Sequence, residues 1–265
     1  METIRLNNGV EMPIIGFGTW NIHDKTIILE AITCGYRLID TAHMYNNEKM
    51  IGEALKECGI DRKQIFITSK LHQVYNSYDK AWQGILDSLK NLQIDYLDMM
   101  LIHEPYPQAS EMYRALEEAY QQGLIRAIGV SNYSYARFTH FLKQVTIIPA
   151  INQVESHVYF PQLLLRDQLL KQTVHMQAWS SFTDGNRSLF SEALLIEIGK
   201  KHQKSAAQVA LRFLIQNNIA VIPKSKNTNH MKENYDLFNF ELSQQDINQI
   251  ATLNEHKSLF SWTDY

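Results

Sequence analysis

Cysteine is scarce in this chain: Cys34 and Cys58 are the whole supply in 265 residues, and neither sits in a metal-type or redox-pair spacing. Two reduced thiols in a cytoplasmic protein are the plain expectation, and a disulfide-stapled secreted fold is disfavoured. Surplus basic charge is also missing. The chain sets 25 Lys and Arg against 28 Asp and Glu, a net charge of −3. A protein built to coat nucleic acid or an anionic membrane carries the opposite imbalance, so neither is expected as a partner. No apolar run reaches the ~20 residues of a bilayer-crossing helix, and METIRLNNGVEMP lacks the apolar core of a signal peptide. Linkers and low-complexity stretches are absent too, so residues 1–265 read as one domain.

What is present suits a large packed core. Hydrophobic residues make up 45% and charged residues 20%, the balance of an ordinary globular protein. TIRLNNGVEMP reads as a small hairpin around Asn8-Gly9, a favoured two-residue turn. Short apolar runs follow, the candidate strands IIGFG (14–18), RLID (37–40), IFITSK (65–70), DMMLIH (98–103), AIGVS (127–131), AINQV (150–154), HMQAW (175–179) and AVIPK (220–224). Between them lie amphipathic stretches such as EKMIGEALKECG, YDKAWQGILDSLKNL and AAQVALRFLIQNN, with apolar residues at three- and four-residue spacing. Eight strands alternating with helices predict an α/β fold of the closed (β/α)₈ TIM-barrel type, with the hairpin closing its bottom. An open doubly wound sheet would want a glycine-rich phosphate loop after its first strand. GFGTWN at 16–21 lacks the third glycine, and its helix starts late.

A barrel keeps its chemistry at the C-terminal ends of its strands. Those ends are polar here. The second candidate strand ends at Asp40 with Tyr45 just beyond, the third at Lys70 and the fourth at His103. The fifth ends at Ser131-Asn132, the sixth at Gln153, the seventh at Trp179-Ser180 and the eighth at Lys224-Ser225. Each alone has a dull explanation: Asp40 as a cap, Lys70 as a surface charge, His103 as a satisfied buried imidazole. Their convergence on one mouth is harder to obtain from structural needs. The set suits a carbonyl that is protonated while a hydride arrives. Tyr45 is the candidate general acid, and a free phenol, with a pKa near ~10, is a sluggish donor. An adjacent Lys70 ammonium is expected to pull that pKa down, Asp40 to keep the lysine charged and aimed, and His103 to orient the substrate oxygen.

These segments resemble the aldo-keto reductases, the bacterial glyoxal- or 2,5-diketogluconate-reductase type in particular. DTAHMYNNE is similar to that family's Asp/Tyr signature, TSKLH to its lysine strand, LIHEPYP to its histidine segment and GVSNY to its carboxamide-binding segment. NQVESH, QAWSS and IPKSKNTNHMKEN continue the likeness in the family's order. The resemblance implies a catalytic tetrad of Asp40, Tyr45, Lys70 and His103 and a nicotinamide cofactor. It further implies that Ser131, Asn132 and Gln153 hold the nicotinamide carboxamide and that Trp179 stacks under its ring. Ser180 and Phe182 would lie along the pyrophosphate, Lys224 and Ser225 at the adenosine 2′-phosphate, and Glu233 and Asn234 near the adenine.

Departures from the family pattern carry their own expectations. Arginine is usual six residues after the phosphate-binding lysine; this chain has His230. Histidine is mostly neutral at pH 7. Losing one charge-assisted contact costs about 1–2 kcal/mol, tenfold or somewhat more in affinity. NADPH therefore remains the expected cofactor, with weakened discrimination against NADH. The substrate pocket has His72 and Glu104 where the family often has tryptophan, leaving Trp20 and Trp262 as aromatic walls. A carboxylate at the rim disfavours anionic substrates. QAWSSFTDG lacks the family's usual proline after the serine and one of its glycines, so the pyrophosphate loop is expected to differ in shape. With SLFSWTDY (258–265) leaving little C-terminal loop to enclose a bulky ligand, small neutral aldehydes and ketones, dicarbonyls such as methylglyoxal included, are the expected substrates. A monomer is the default expectation.

Competing readings are weaker. A Schiff-base lysine at Lys70 or Lys224 works best neutral and desolvated, which a neighbouring Asp40 or a bound phosphate opposes. His43, His72, His103, Glu104 and His157 form no metal-ligand spacing, so no metal is expected. The remaining alternative is a catalytically slow cofactor-binding sensor on the same fold.

Overall fold

The computed structural model describes residues 2–263. Two short antiparallel strands, β1 (Thr3–Arg5) and β2 (Glu11–Pro13), form the hairpin. Eight parallel strands follow: β3 (Phe17–Gly18), β4 (Leu38–Asp40), β5 (Phe66–Leu71), β6 (Met99–Ile102), β7 (Ile128–Ser131), β8 (Ile151–Glu155), β9 (His175–Trp179) and β10 (Ile219–Val221). They pair in sequence order from β3 to β10. Ile15 bridges Val221 in parallel, with Gly16 N donating to Val221 O at 2.8 Å and Val221 N to Ile14 O at 2.9 Å. Those bonds bring the first barrel strand against the last and close the cylinder. At this seam Gly18 is required: a Cβ there would lie 2.6 Å from the Ile222 carbonyl oxygen.

The eight predicted strands are all present, HMQAW with its expected bounds and the others with shifted ends. IIGFG contributes only Phe17–Gly18 to the ladder, and AVIPK is replaced by Ile219–Val221. Pro223 has no N–H to extend the pairing, although its carbonyl still accepts from Gly18 N at 3.3 Å. The hairpin turn also differs from the expected two-residue turn. Leu6 and Val10 still bond across, so Asn7-Asn8-Gly9 makes a three-residue connection with Gly9 at φ +85°. The reason lies in the barrel floor. Asn7 donates to Pro149 O and Asn8 to Arg126 O, both just ahead of barrel strands, while His175 contacts Arg5 O. The hairpin thereby closes the bottom, as expected.

Strands packed on both faces need no polar alternation, which is why β5 is buried throughout. Outside it, the helix Tyr78–Leu92 buries Ala81, Gly84, Ile85, Ser88, Leu89 and Leu92, the stripe its three- and four-residue spacing predicted. Ser77 caps its start, accepting from Lys80 N. The other α-helices among the described residues are Lys25–Thr33, Glu48–Glu57, Ala109–Gln121, Tyr135–Phe141, Leu163–Leu170, Ala193–His202, Ala206–Gln216, Thr228–Tyr235 and Gln244–Ala251. No helix among the described residues is long and apolar enough to cross a membrane.

Candidate active site

The parallel register aligns the strand ends and so builds the mouth. Asp40 ends β4 opposite Thr68 of β5, two residues before Lys70. Alternation puts Thr68 and Lys70 on one side of β5, and that side faces Asp40: Lys70 Nζ donates to Asp40 Oδ1, and also to Thr41 O at 2.9 Å. Both partners are shut away from solvent, with side-chain exposures of 0% for Lys70 and 2% for Asp40. An unpaired charge at this depth would be untenable, so the pair is obligatory.

Beyond Asp40 the chain makes a 3₁₀ turn, His43–Tyr45, before the helix Glu48–Glu57. Asn47 fixes that junction from inside. Its Oδ1 accepts from Thr41 Oγ1 at 2.6 Å, and its Nδ2 donates to Thr19 O and Ile22 O. Glu48 is buried beside it, accepting from Ser69 Oγ at 2.6 Å. So anchored, the turn hangs the Tyr45 ring over the lysine, with Nζ 5.2 Å from the ring centroid. His103, just past β6, stands with its ring 5.8 Å from that of Tyr45, edge to face. Trp20 covers Tyr45 from outside at 4.9 Å. The four residues expected to act together are together.

Their electrostatics differ from the sequence expectation in one respect. The Tyr45 phenol sits well above its ordinary pKa, not below it. Burial is the main cause, followed by the charges of Asp40, Asp184 and Glu104. Lys70 does not reverse this because Asp40 already balances its charge. Burial pulls Lys70 itself down, and Asp40 pushes it back. Burial, then the Lys70 charge and then His72, hold His103 well below its usual value, so its imidazole is neutral. Its Nδ1 is buried with no hydrogen-bond partner among the described residues.

Along the mouth toward β9, the three residues expected at the carboxamide are laced to one another and to the tetrad. Ser131 Oγ donates to Gln153 O at 2.8 Å. Gln153 Nε2 donates to Asp40 Oδ2 at 2.8 Å and to Gln177 Oε1 at 2.7 Å. Asn132, in the left-handed region at φ 66°, donates to Glu104 Oε1 and accepts from Trp179 Nε1, both at 2.7 Å. Trp179 has Trp262 stacked flat on its indole at 5.3 Å and 10°, with Phe260 edge-on at 4.9 Å. A second tryptophan at this ring was not foreseen in the sequence. Glu155 brings it there. This buried carboxylate accepts from Leu259 N at 2.9 Å, Ser258 Oγ at 2.5 Å and His157 at 3.0 Å, pinning the C-terminal segment to β8.

The segment after Trp179 takes the unusual shape its missing glycine and proline suggested. Ser180, Thr183 and Asp184 all have positive φ (56°, 65° and 47°), costly for side-chain-bearing residues and most so for β-branched Thr183. Phe182 packs on Phe190. Ser180 Oγ is buried with no hydrogen-bond partner among the described residues, an orphaned donor of the kind a phosphate oxygen would satisfy. Beyond β10, Lys224 and Ser225 lead into the helix Thr228–Tyr235, capped by Asn227, whose Oδ1 accepts from Asn229 N and His230 N. His230 is exposed on its first turn, Glu233 half-buried and Asn234 buried farther along. A half-buried indole, an orphaned hydroxyl and a lysine on one rim fit an extended nicotinamide dinucleotide. No group of three His, Cys, Asp or Glu side chains among the described residues is arranged to hold a metal ion.

The substrate side is polar. His72 faces Tyr106 at 6.0 Å, and burial lowers its pKa. Glu104 is half-buried, and that burial pushes its carboxyl up to about 7 against the opposing Asn132 bond. Sequence reading did not single out Gln177, Asn47 or Glu155. Gln177 was within reach, because residues 175, 177 and 179 share one side of a strand. Asn47 and Glu155 gave no such signal.

Comparison with known proteins agrees with this picture. Residues 14–255 match the model of the aldo/keto reductase family. The glyoxal reductase of Bacillus subtilis (strain 168) is 42% identical over 96% of this chain and 93% of its own length. The methylglyoxal reductase DkgA of Escherichia coli (strain K12) is 33% identical over 97% and 94%. Among solved structures, MGS-M4, an aldo-keto reductase enzyme from a Medee basin deep-sea metagenome library, matches with a TM-score of 0.96 at 37% identity, covering 99% of this chain and 98% of that one.

Proposed function

The chain belongs to the aldo/keto reductase family, and from that premise we propose that it reduces small neutral aldehydes and ketones to alcohols with NADPH, using Tyr45 as proton donor. The observation that carries this reading is the buried Lys70–Asp40 pair beneath the Tyr45 ring, with neutral His103 beside it. When bound, the nicotinamide supplies a hydride to the carbonyl carbon. The chain supplies the rest. Tyr45 is fully protonated at neutral pH and gives its phenolic hydrogen to the developing alkoxide. Lys70 stabilises the phenolate left behind, and Asp40 keeps that ammonium charged. His103, neutral, orients the substrate oxygen without competing for the proton.

Trp179, Ser131, Asn132 and Gln153 would hold the nicotinamide end, and Ser180 and Phe182 the pyrophosphate. Lys224, Ser225 and His230 would face the 2′-phosphate, with Glu233 and Asn234 near the adenine. Of these, only Lys224 is a permanent cation, so NADH is expected as a usable second cofactor. On the substrate side, Trp20, His72 and Glu104 leave a small polar rim. A carboxyl that is part-charged at pH 7 disfavours anionic carbonyls. Two relatives named for glyoxal and methylglyoxal reduction support dicarbonyls within that class.

The test is a panel of aldehydes and ketones with each cofactor, run beside Tyr45→Phe and followed by cofactor oxidation. The variant is expected to bind NADPH as the parent does and to lose 10²-fold or more in turnover, of the order general acids contribute. Full activity in Tyr45→Phe removes the phenol from the mechanism. Tight cofactor binding with no turnover on any carbonyl makes the protein a sensor.

A further inference from the structure

Three strand ends meet at the side chain of Asn132. Its Oδ1 accepts from Trp179 Nε1 of β9, and its Nδ2 donates to Glu104 Oε1 just past β6, both at 2.7 Å, and to His103 O at 3.3 Å. The indole N–H can only donate, and an ionised carboxylate can only accept. Between them the amide has one favourable orientation. Flipped, it would set its oxygen against the carboxylate and its NH₂ against the indole N–H, turning two good contacts into two repulsive ones. Glu104 is the member of this chain whose charge varies, and it faces Arg137 on the helix Tyr135–Phe141 and the phenols of Tyr45, Tyr106 and Tyr133. All three phenols are held neutral, so Arg137 is the group among these that favours the carboxylate form.

We propose that Glu104 is a positioning residue for the reaction: its carboxylate orients the Asn132 amide, which in turn holds the Trp179 indole, so that Glu104 sets the seat for the nicotinamide from the substrate side of the mouth. The inference rests on the reductase reading above. It gives Glu104 a second part besides substrate choice, and it explains why a half-buried acid at the mouth is spent on the Asn132 amide. Because burial brings the carboxyl to about 7, its hold on the amide changes near neutral pH. Ionised, it dictates the amide orientation; protonated, its O–H can donate and the constraint lapses. Cofactor affinity is therefore weaker on the acid side. His103 does not share this window, since its pKa lies well below its ordinary value.

The experiment measures NADH binding by quenching of tryptophan fluorescence from roughly pH 5.5 to 8.5, a range spanning the carboxyl's titration. NADH is used because it lacks the 2′-phosphate, which titrates in the same range. Parent, Glu104→Gln and Glu104→Ala are compared, with far-UV circular dichroism to verify folding. The parent is expected to lose affinity several-fold toward the acid end. Glu104→Ala is expected to bind about tenfold more weakly at pH 8, the loss of one charge-assisted bond, and to show no such pH dependence. Glu104→Gln, whose amide like the protonated acid can donate as well as accept, is expected to bind across the range about as weakly as the parent does at its acid end, and to be flat with pH. Glu104→Ala binding like the parent overturns the proposal, and so does a Glu104→Gln profile that keeps the parent's pH dependence. A parent that binds neither NADH nor NADPH overturns the reductase reading as well.

Discussion

Gln153 donates to Asp40 Oδ2 at 2.8 Å, holding the carboxylate oxygen that Lys70 does not take. The two residues are 113 positions apart, and the bond ties β8 to β4 straight across the mouth. Gln153 was expected to serve the nicotinamide. In the structure its Nε2 is committed to Asp40 and to Gln177, so it also fixes the angle at which Asp40 meets the lysine. With both oxygens taken, the carboxylate cannot rotate away, and Lys70 stays under the phenol.

The depth of that ion pair makes it sensitive to removal of one partner. Lys70→Met is expected to abolish turnover and to destabilise the fold by about 3–5 kcal/mol, because Asp40 is left charged and unpaired. Lys70→Met with Asp40→Asn should recover much of the stability and none of the activity. Urea unfolding of the three proteins checks this; equal midpoints for the parent and Lys70→Met would mean that the pair contributes nothing.

Restoring a permanent charge at the first turn of Thr228–Tyr235 should sharpen cofactor choice. His230→Arg is expected to raise the ratio of kcat/KM for NADPH over NADH about tenfold. His230 is exposed, so the change should leave stability within about 0.5 kcal/mol. A parent that already prefers NADPH beyond a thousandfold would show that histidine costs little.

Glu155 offers a handle on the aromatic group over Trp179. Glu155→Ala strips acceptors from Leu259 N and Ser258 Oγ. The C-terminal segment is then expected to detach, with loss of the near-UV signal of the stacked Trp179–Trp262 pair. Trp262→Ala should remove the same signal while leaving Glu155 in place. A near-UV spectrum unchanged in Glu155→Ala would show that the tail is held by its rings alone.

Stability should also respond to pH through His103. Burial and Lys70 keep its folded-state pKa below the unfolded value. The unfolded chain therefore takes up a proton below about 6.5 that the native protein does not, and stability contributed by His103 is lost as pH falls. Glu104 works in the opposite sense. Its raised pKa lends stability that is present below about 4.5 and lost as pH rises toward 7. His103→Gln separates the two: between pH 7.5 and 5 the parent should lose up to about 2 kcal/mol relative to the variant. Parallel unfolding midpoints across that range would contradict a buried neutral imidazole.

The order of strands and helices was legible in the sequence because each element announces itself locally, by apolar period and by the residues at its ends. The polar strand ends were legible for the same reason: a barrel with parallel strands must bring them to one rim, so Asp40, Lys70, His103 and Trp179 could be grouped before any contact was known. Partner choice was not legible. Nothing near Gln153 indicates Asp40, nothing near Glu155 indicates Ser258, and the sequence reading gave Tyr45 a lowered pKa where the structure gives a raised one. Those outcomes depend on burial depth and on which distant side chain reaches first, quantities that exist only once the cylinder has closed. The sequence determined which residues share the mouth; tertiary packing decided which of them hold one another and which charge prevails there.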